Sequence, residues 1–190
     1  MNTVLVLNGS PTGQSGNCNR LIEFIKKTSA KDLTFKVIHL SDVRKMSSLY
    51  KDIAKASGFI FVTGTYWDSW GSPLQKFLEG VTDLEGSVSF VGKPAAVFVL
   101  NHSVGGKAIL SRLQGVLSTF GCLIPPMSGM VYSLVTSLAL QNKKSKTHKD
   151  DFWTLEDTEM ILKNFELALQ IETQWQSWPV DRKNFRKNWL

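Results

Sequence analysis

Residues 3–25 read TVLVLNGSPTGQSGNCNRLIEFI, and the character of the chain changes twice within them. A β-branched apolar run ends at Asn8, small and hydroxyl-bearing residues follow, and from Asn17 the apolar side chains recur at helical spacing. The stretch reads strand, turn, helix. Further apolar runs bounded by turn residues stand at LTFKVIHL (33–40), GFIFVTGT (58–65), PAAVFVLN (94–101) and CLIPP (122–126) continuing toward MVYS (130–133). Helical spacing fills the intervals at 17–29, 47–57, 72–82 and 104–120. A last helix starts at TLED (154–157), where Thr154 can cap and Asp157 can reach back, and carries Ile161, Phe165, Ala168 and Leu169 on one stripe. The first, third and fourth runs are apolar on both faces, as strands covered on both sides must be, whereas 33–40 alternates like an edge. The pattern predicts an α/β fold of three layers: a doubly wound, five-stranded parallel sheet in the order 2-1-3-4-5.

At 190 residues the chain fits one domain, read as 1–178, with a basic extension over 179–190. No apolar run approaches the roughly 20 residues that span a bilayer, so membrane insertion is not expected. The opening residues lack a basic leader region and a small-residue cleavage site, and read as a first strand. Cys18 and Cys122 lie far apart among unlike neighbours, which suggests neither a disulfide framework nor a metal site and fits a reducing, cytoplasmic setting. The net charge of +6 gathers partly in KKSKTHK (143–149) and DRKNFRKNW (181–189). Without a groove-reading motif these read as solvated surface, with 140–151 an exposed loop; no nucleic-acid partner is expected, and an anionic surface ranks last.

The turn after the first strand falls at the carboxyl end of the sheet. Small residues leave backbone N–H groups unshielded, and the helix start adds its orphan N–H groups and positive dipole end. Hydroxyls of Ser10, Thr12 and Ser15 and the amide of Asn17 supply further donors. No lysine stands in the turn, so the cradle is expected to hold a phosphate monoester with neutral donors. The lack of Gly-Lys-Ser/Thr excludes a P-loop, and the glycine spacing is not that of a dinucleotide fold. The same residues also serve ordinary turn and cap chemistry.

A second loop, GTYWDSWGSPLQKFLEG (64–80), follows the third strand, which neighbours the first in the expected order. Both loops then border the crevice between the carboxyl ends of those strands. Tyr66, Trp67 and Trp70 suit a flat aromatic ligand or a partner subunit. A third loop, NHSVGGKAIL (101–110), carries Gly105 and Gly106, which permit close backbone approach. Flavin mononucleotide (FMN), a phosphorylated planar molecule, meets all three demands.

At these residues the chain resembles the flavodoxin-like NAD(P)H-dependent FMN reductase family, which includes quinone and azo-compound reductases. The likeness covers about residues 3–132. NGSPTGQSGNCNRL is similar to the family's Gly-Ser-Pro turn leading to Gly-Asn-Thr, and TYWDSWGSPLQKFLE to its Pro-x-Tyr-Trp segment ending Leu-Lys-x-Phe-x-Asp. The resemblance implies that Ser10, Ser15, Gly16, Asn17 and Cys18 surround the FMN phosphate. It implies that Tyr66, Trp67, Asp68, Ser69 and Trp70 border the isoalloxazine, with Asn101, His102, Ser103, Gly105 and Gly106 along its other edge. SPTGQS also resembles the phosphate turn of true flavodoxins, which brings Thr12 and Gly13 into the same cradle. Cys18 stands where the family has threonine, Thr12 where it often has arginine, and Gly64-Thr65 where it has a proline-containing approach. The first two departures imply weaker phosphate binding.

The implied activity passes a hydride from NADPH or NADH through FMN to a small acceptor such as a quinone, azo or nitro compound or free flavin. It requires no catalytic acid, base or metal from the protein. His102 and Asp68 then read as structural, and Cys18, at a helix start, as a thiol of lowered pKa or one screened by burial. The family and the exposed aromatics imply a homodimer or homotetramer. Two rival readings are a flavodoxin-type electron carrier, against which the basic pI near 9.3 counts, and a non-catalytic binding protein of the same fold.

Overall fold

The computed structural model describes residues 2–29, 33–141 and 152–179. Strands β1 (Asn2–Asn8), β2 (Leu33–His39), β3 (Gly58–Gly64), β4 (Ala95–Asn101) and β5 (Gly129–Ser133) form one parallel sheet in the order β2-β1-β3-β4-β5. Helices α1 (Asn17–Thr28), α2 (Tyr50–Lys55), α3 (Ser72–Gly80), α4 (Gly106–Phe120), α5 (Leu134–Gln141) and α6 (Asp157–Ala168) complete it. The order and the edge position of β2 are as the alternation predicts.

Period-two side chains divide the core between two faces. Val4 and Val6 point to one, where Leu21, Ile22 and Ile25 of α1 and Ile161, Leu162 and Phe165 of α6 cover them. Leu5 and Leu7 point to the other, beneath Ile53 of α2, Leu74 and Phe77 of α3 and Ile109, Leu110 and Leu113 of α4. All seven residues of β3 are buried, which is why its sequence shows no alternation. Since α1 leaves toward one face and α3 toward the other, the carboxyl ends of β1 and β3 are uncovered between them.

Four local expectations change. The helix expected over 47–57 begins as a 3-10 turn, Met46–Leu49, and its α-helical part is Tyr50–Lys55. The fifth strand begins at Gly129; of the segment before it, Leu123 alone bridges to Pro94, because Pro125 and Pro126 supply no N–H to a ladder. Helix α5 follows β5 directly and was not anticipated. At α6, Asp157 does reach back, accepting from the Thr154 N–H at 2.6 Å, but the Thr154 hydroxyl turns toward the same carboxylate instead of capping. Residues 142–151, most of the expected Lys-rich loop, and 180–190, the basic extension beyond Pro179, lie outside the described residues. Among the described residues no helix is long and apolar enough to cross a membrane.

Candidate functional site

The site is built on the turn after β1. Asn8 is fully buried, and its Oδ1 accepts from the Ser10 N–H while its Nδ2 donates to the Gly13 carbonyl, both at 3.0 Å. Gly13 lies at φ 52°, a left-handed conformation that brings the chain back toward β1. Ser10 Oγ pairs with Thr12 Oγ1 at 2.9 Å. Gly16 enters α1 in extended conformation with no side-chain cap, so the Asn17 and Cys18 N–H groups have no acceptor among the described residues. A Cβ on Gly16 would stand 1.9 Å from Thr12 Oγ1, so any other residue there would displace the Thr12 side chain.

The loop after β3 meets the first loop directly: the Tyr66 hydroxyl lies 3.0 Å from Ser10 Oγ. Its tip is a two-residue turn, closed by Tyr66 N–H to Ser69 carbonyl at 2.8 Å and the reverse bond at 3.0 Å. Trp67 and Asp68 there both have positive φ, 48° and 57°, the geometry of a hairpin turn that ordinarily takes Asn-Gly. Trp67 is fully exposed. Replacing it with asparagine should stabilise the protein by about 0.5–1 kcal/mol, seen as a raised urea midpoint, because asparagine tolerates this conformation. A lowered midpoint would mean that the indole has a packing partner in solution. Behind the tip, the Arg112 guanidinium donates to the Asp68 carbonyl at 2.6 Å and lies 5.4 Å from the Trp70 ring, while Trp70 Nε1 donates to Gln75 Oε1 at 2.8 Å. A Cβ on Gly105 would fall 2.5 Å from Asp68 Oδ1, so the third loop abuts the second.

Together the loops enclose a cleft of about 630 Å³ at the carboxyl edge of the sheet. Of the expected residues it is lined by Ser10, Thr12, Ser15, Gly16, Asn17, Cys18, Tyr66, Asn101 and His102. Gly13 is buried below the turn. Trp67, Asp68, Ser69 and Trp70 do not line the cleft, and Ser103, Gly105 and Gly106 line an adjoining pocket that shares Asn101 with it. Arg20, Phe24, Leu100, Tyr132, Leu134 and Leu155 also line it without having been anticipated. Arg20 adds a cation to a cradle expected to be neutral, and its spacing of three from Asn17 on α1 was the available signal. Tyr132, Leu134 and Leu155 arrive from the far end of the chain, and no local pattern announces them.

Cys18 packs into the α1 face of the core, where burial pushes its thiol up to about 11, opposed by a hydrogen bond with Ser10. Burial pushes the Cys122 thiol up to about 12, with the Lys93 ammonium opposing. The thiol expected to be lowered or screened at the start of α1 is thus raised. Both should resist alkylation of the native protein at about pH 8 and react once it is unfolded. Ionisation of the unfolded thiols draws the equilibrium toward the unfolded state, so stability present below pH 9.0 should be lost progressively as pH rises toward about 11. Rapid labelling of either cysteine in the folded state would contradict this.

A sheet of this order, with a small-residue turn after β1 and aromatic and small-residue loops after β3 and β4, defines the flavodoxin-like class. Within it, the family profile described as NADPH-dependent FMN reductase matches residues 2–133; the chain belongs to that family and is an FMN reductase-like enzyme. Similar solved structures include RosB with bound 8-demethyl-8-formylriboflavin-5'-phosphate (TM-score 0.71, 12% identity, covering 90% of this chain and 79% of that one). The apo form of the NADH:FMN oxidoreductase EMOB gives a TM-score of 0.69 at 18% identity, covering 90% and 92%. A WrbA-like flavodoxin from Agrobacterium tumefaciens gives 0.60 at 18%, covering 89% and 98%. At these identities the structures speak for the fold. No curated protein matches the chain significantly.

Proposed function

We propose that the cleft binds FMN and that the protein passes reducing equivalents from NADPH or NADH to a small acceptor such as a quinone, azo or nitro compound or free flavin. The observation that carries this reading is that Asn17 and Cys18, whose N–H groups have no acceptor among the described residues, line the same cleft as Tyr66, Asn101 and His102. When bound, FMN supplies the hydride acceptance and the electron donation. The chain supplies position: the Asn17 and Cys18 N–H groups, the hydroxyls of Ser10, Thr12 and Ser15, and the Arg20 guanidinium suit a phosphate. Tyr66, Leu100 and Tyr132 suit an aromatic ring system, and Asn101 and His102 offer it polar partners. Nothing in this scheme asks the protein for an acid or base at the reacting atom.

The chain described here is read as one FMN-binding domain with residues 179–190 appended. Homodimer or homotetramer formation is supported by the exposed Leu134, Val135 and Leu138 of α5. A cytoplasmic location is supported by the two free cysteines.

Anaerobic titration of the FMN-loaded protein with NADPH and with NADH tests the reading. Rapid bleaching of the flavin band, reversed by a quinone, is expected. Bound flavin that neither nucleotide reduces would favour an electron carrier, and protein that takes up no FMN would favour a non-catalytic binding module.

A further inference from the structure

The turn between β1 and α1 is held from beneath by the Asn8 amide, and that amide has a third neighbour. Its Nδ2, besides donating to Gly13, stands 3.0 Å from Nδ1 of His39, the last residue of β2 and the register partner of Asn8 in the sheet. The other two bonds fix which way the amide faces. Turned over, it would set its oxygen against the Gly13 carbonyl and its NH2 against the Ser10 N–H, pairing acceptor with acceptor and donor with donor. The nitrogen therefore points at His39, and His39 Nδ1 must accept. An imidazole that accepts at Nδ1 is neutral, with its proton on Nε2.

We infer that His39, as this neutral tautomer, is a positioning residue for the anion cradle. Through Asn8 it holds Ser10 and Gly13 at the spacing that shapes the turn over residues 10–17. The inference rests on the reading of that turn as the FMN phosphate site. A protonated imidazole would present N–H at both nitrogens and set Nδ1 against the Asn8 N–H donor to donor, so the contact needs the neutral ring.

FMN and riboflavin differ only in the phosphate, so the ratio of their dissociation constants reads the cradle by itself. His39→Phe keeps a ring of similar volume and removes the acceptor, whereas His39→Asn keeps an acceptor near the Nδ1 position and cannot titrate. In His39→Phe the preference for FMN should fall roughly tenfold through weaker FMN binding, with riboflavin binding unchanged. In His39→Asn it should stay within about twofold of the parent. An unchanged preference in His39→Phe, or a fall in His39→Asn as large as in His39→Phe, overturns the inference. If His39→Phe does not fold, His39→Gln, whose amide reaches the Nε2 position and leaves Nδ1 unreplaced, decides by the same ratio. A parent protein that binds riboflavin as tightly as FMN overturns the phosphate reading first, and the inference with it.

Discussion

Gly71→Ala is expected to destabilise the protein by about 2–3 kcal/mol and to abolish retention of FMN. Gly71 precedes α3 at φ −63° and ψ 144°, which alanine adopts freely, so the effect comes from crowding and not from backbone strain. The added Cβ would stand 2.2 Å from the Gly9 carbonyl oxygen and 3.0 Å from Pro11 Cδ. Neither can rotate away, since one is main chain and the other part of a ring fixed to it. The turn over 9–11 must then move off the start of α3, which separates Ser10 from Tyr66 and opens the junction on which the cleft depends. Urea unfolding and an FMN titration of the same preparation check both halves. Parent-like values in both would mean that the contact between the two loops is not what forms the site.

Arg20→Glu is expected to weaken FMN binding roughly a hundredfold while leaving riboflavin binding and the unfolding midpoint nearly unchanged. A hydrogen bond to a charged group contributes about 1.5–3 kcal/mol, and reversing the charge adds repulsion of the phosphate. Arg20 is exposed and makes no ion pair among the described residues, so its replacement leaves the core untouched. Because the site is open to solvent, the difference should shrink as salt is added. Equal losses for both flavins, or no loss for either, would remove Arg20 from the phosphate side of the cleft.

What the sequence made legible was the part governed by local pattern and by rules of connection. The run TVLVLN and the helical spacing after Asn17 announce β1 and α1, and the winding of a parallel sheet then brings the 10–17 and 66–70 loops to one edge. The Ser10–Tyr66 contact is that juxtaposition in the structure. Direction was harder to read than position. Trp67 and Trp70 sit in the expected loop, but a two-residue turn with positive φ at Trp67 and Asp68 sends one indole to solvent, and Arg112 and Gln75 hold the other behind the hairpin. Arg20 lies one helical turn beyond the small-residue turn that marks the anion donors in the sequence. The His39–Asn8 contact depends on the pairing register of β1 with β2, which composition does not disclose.

The most direct measurement is an experimental structure of the protein with FMN bound. The phosphate should lie within hydrogen-bond reach of the Asn17 and Cys18 N–H groups and of Ser10 Oγ, with the ring system extending toward Tyr66, Asn101 and His102. A flavin seated elsewhere, for instance in the cavity of about 340 Å³ lined by Gly92, Gly121, Trp175 and Trp178, would contradict the account.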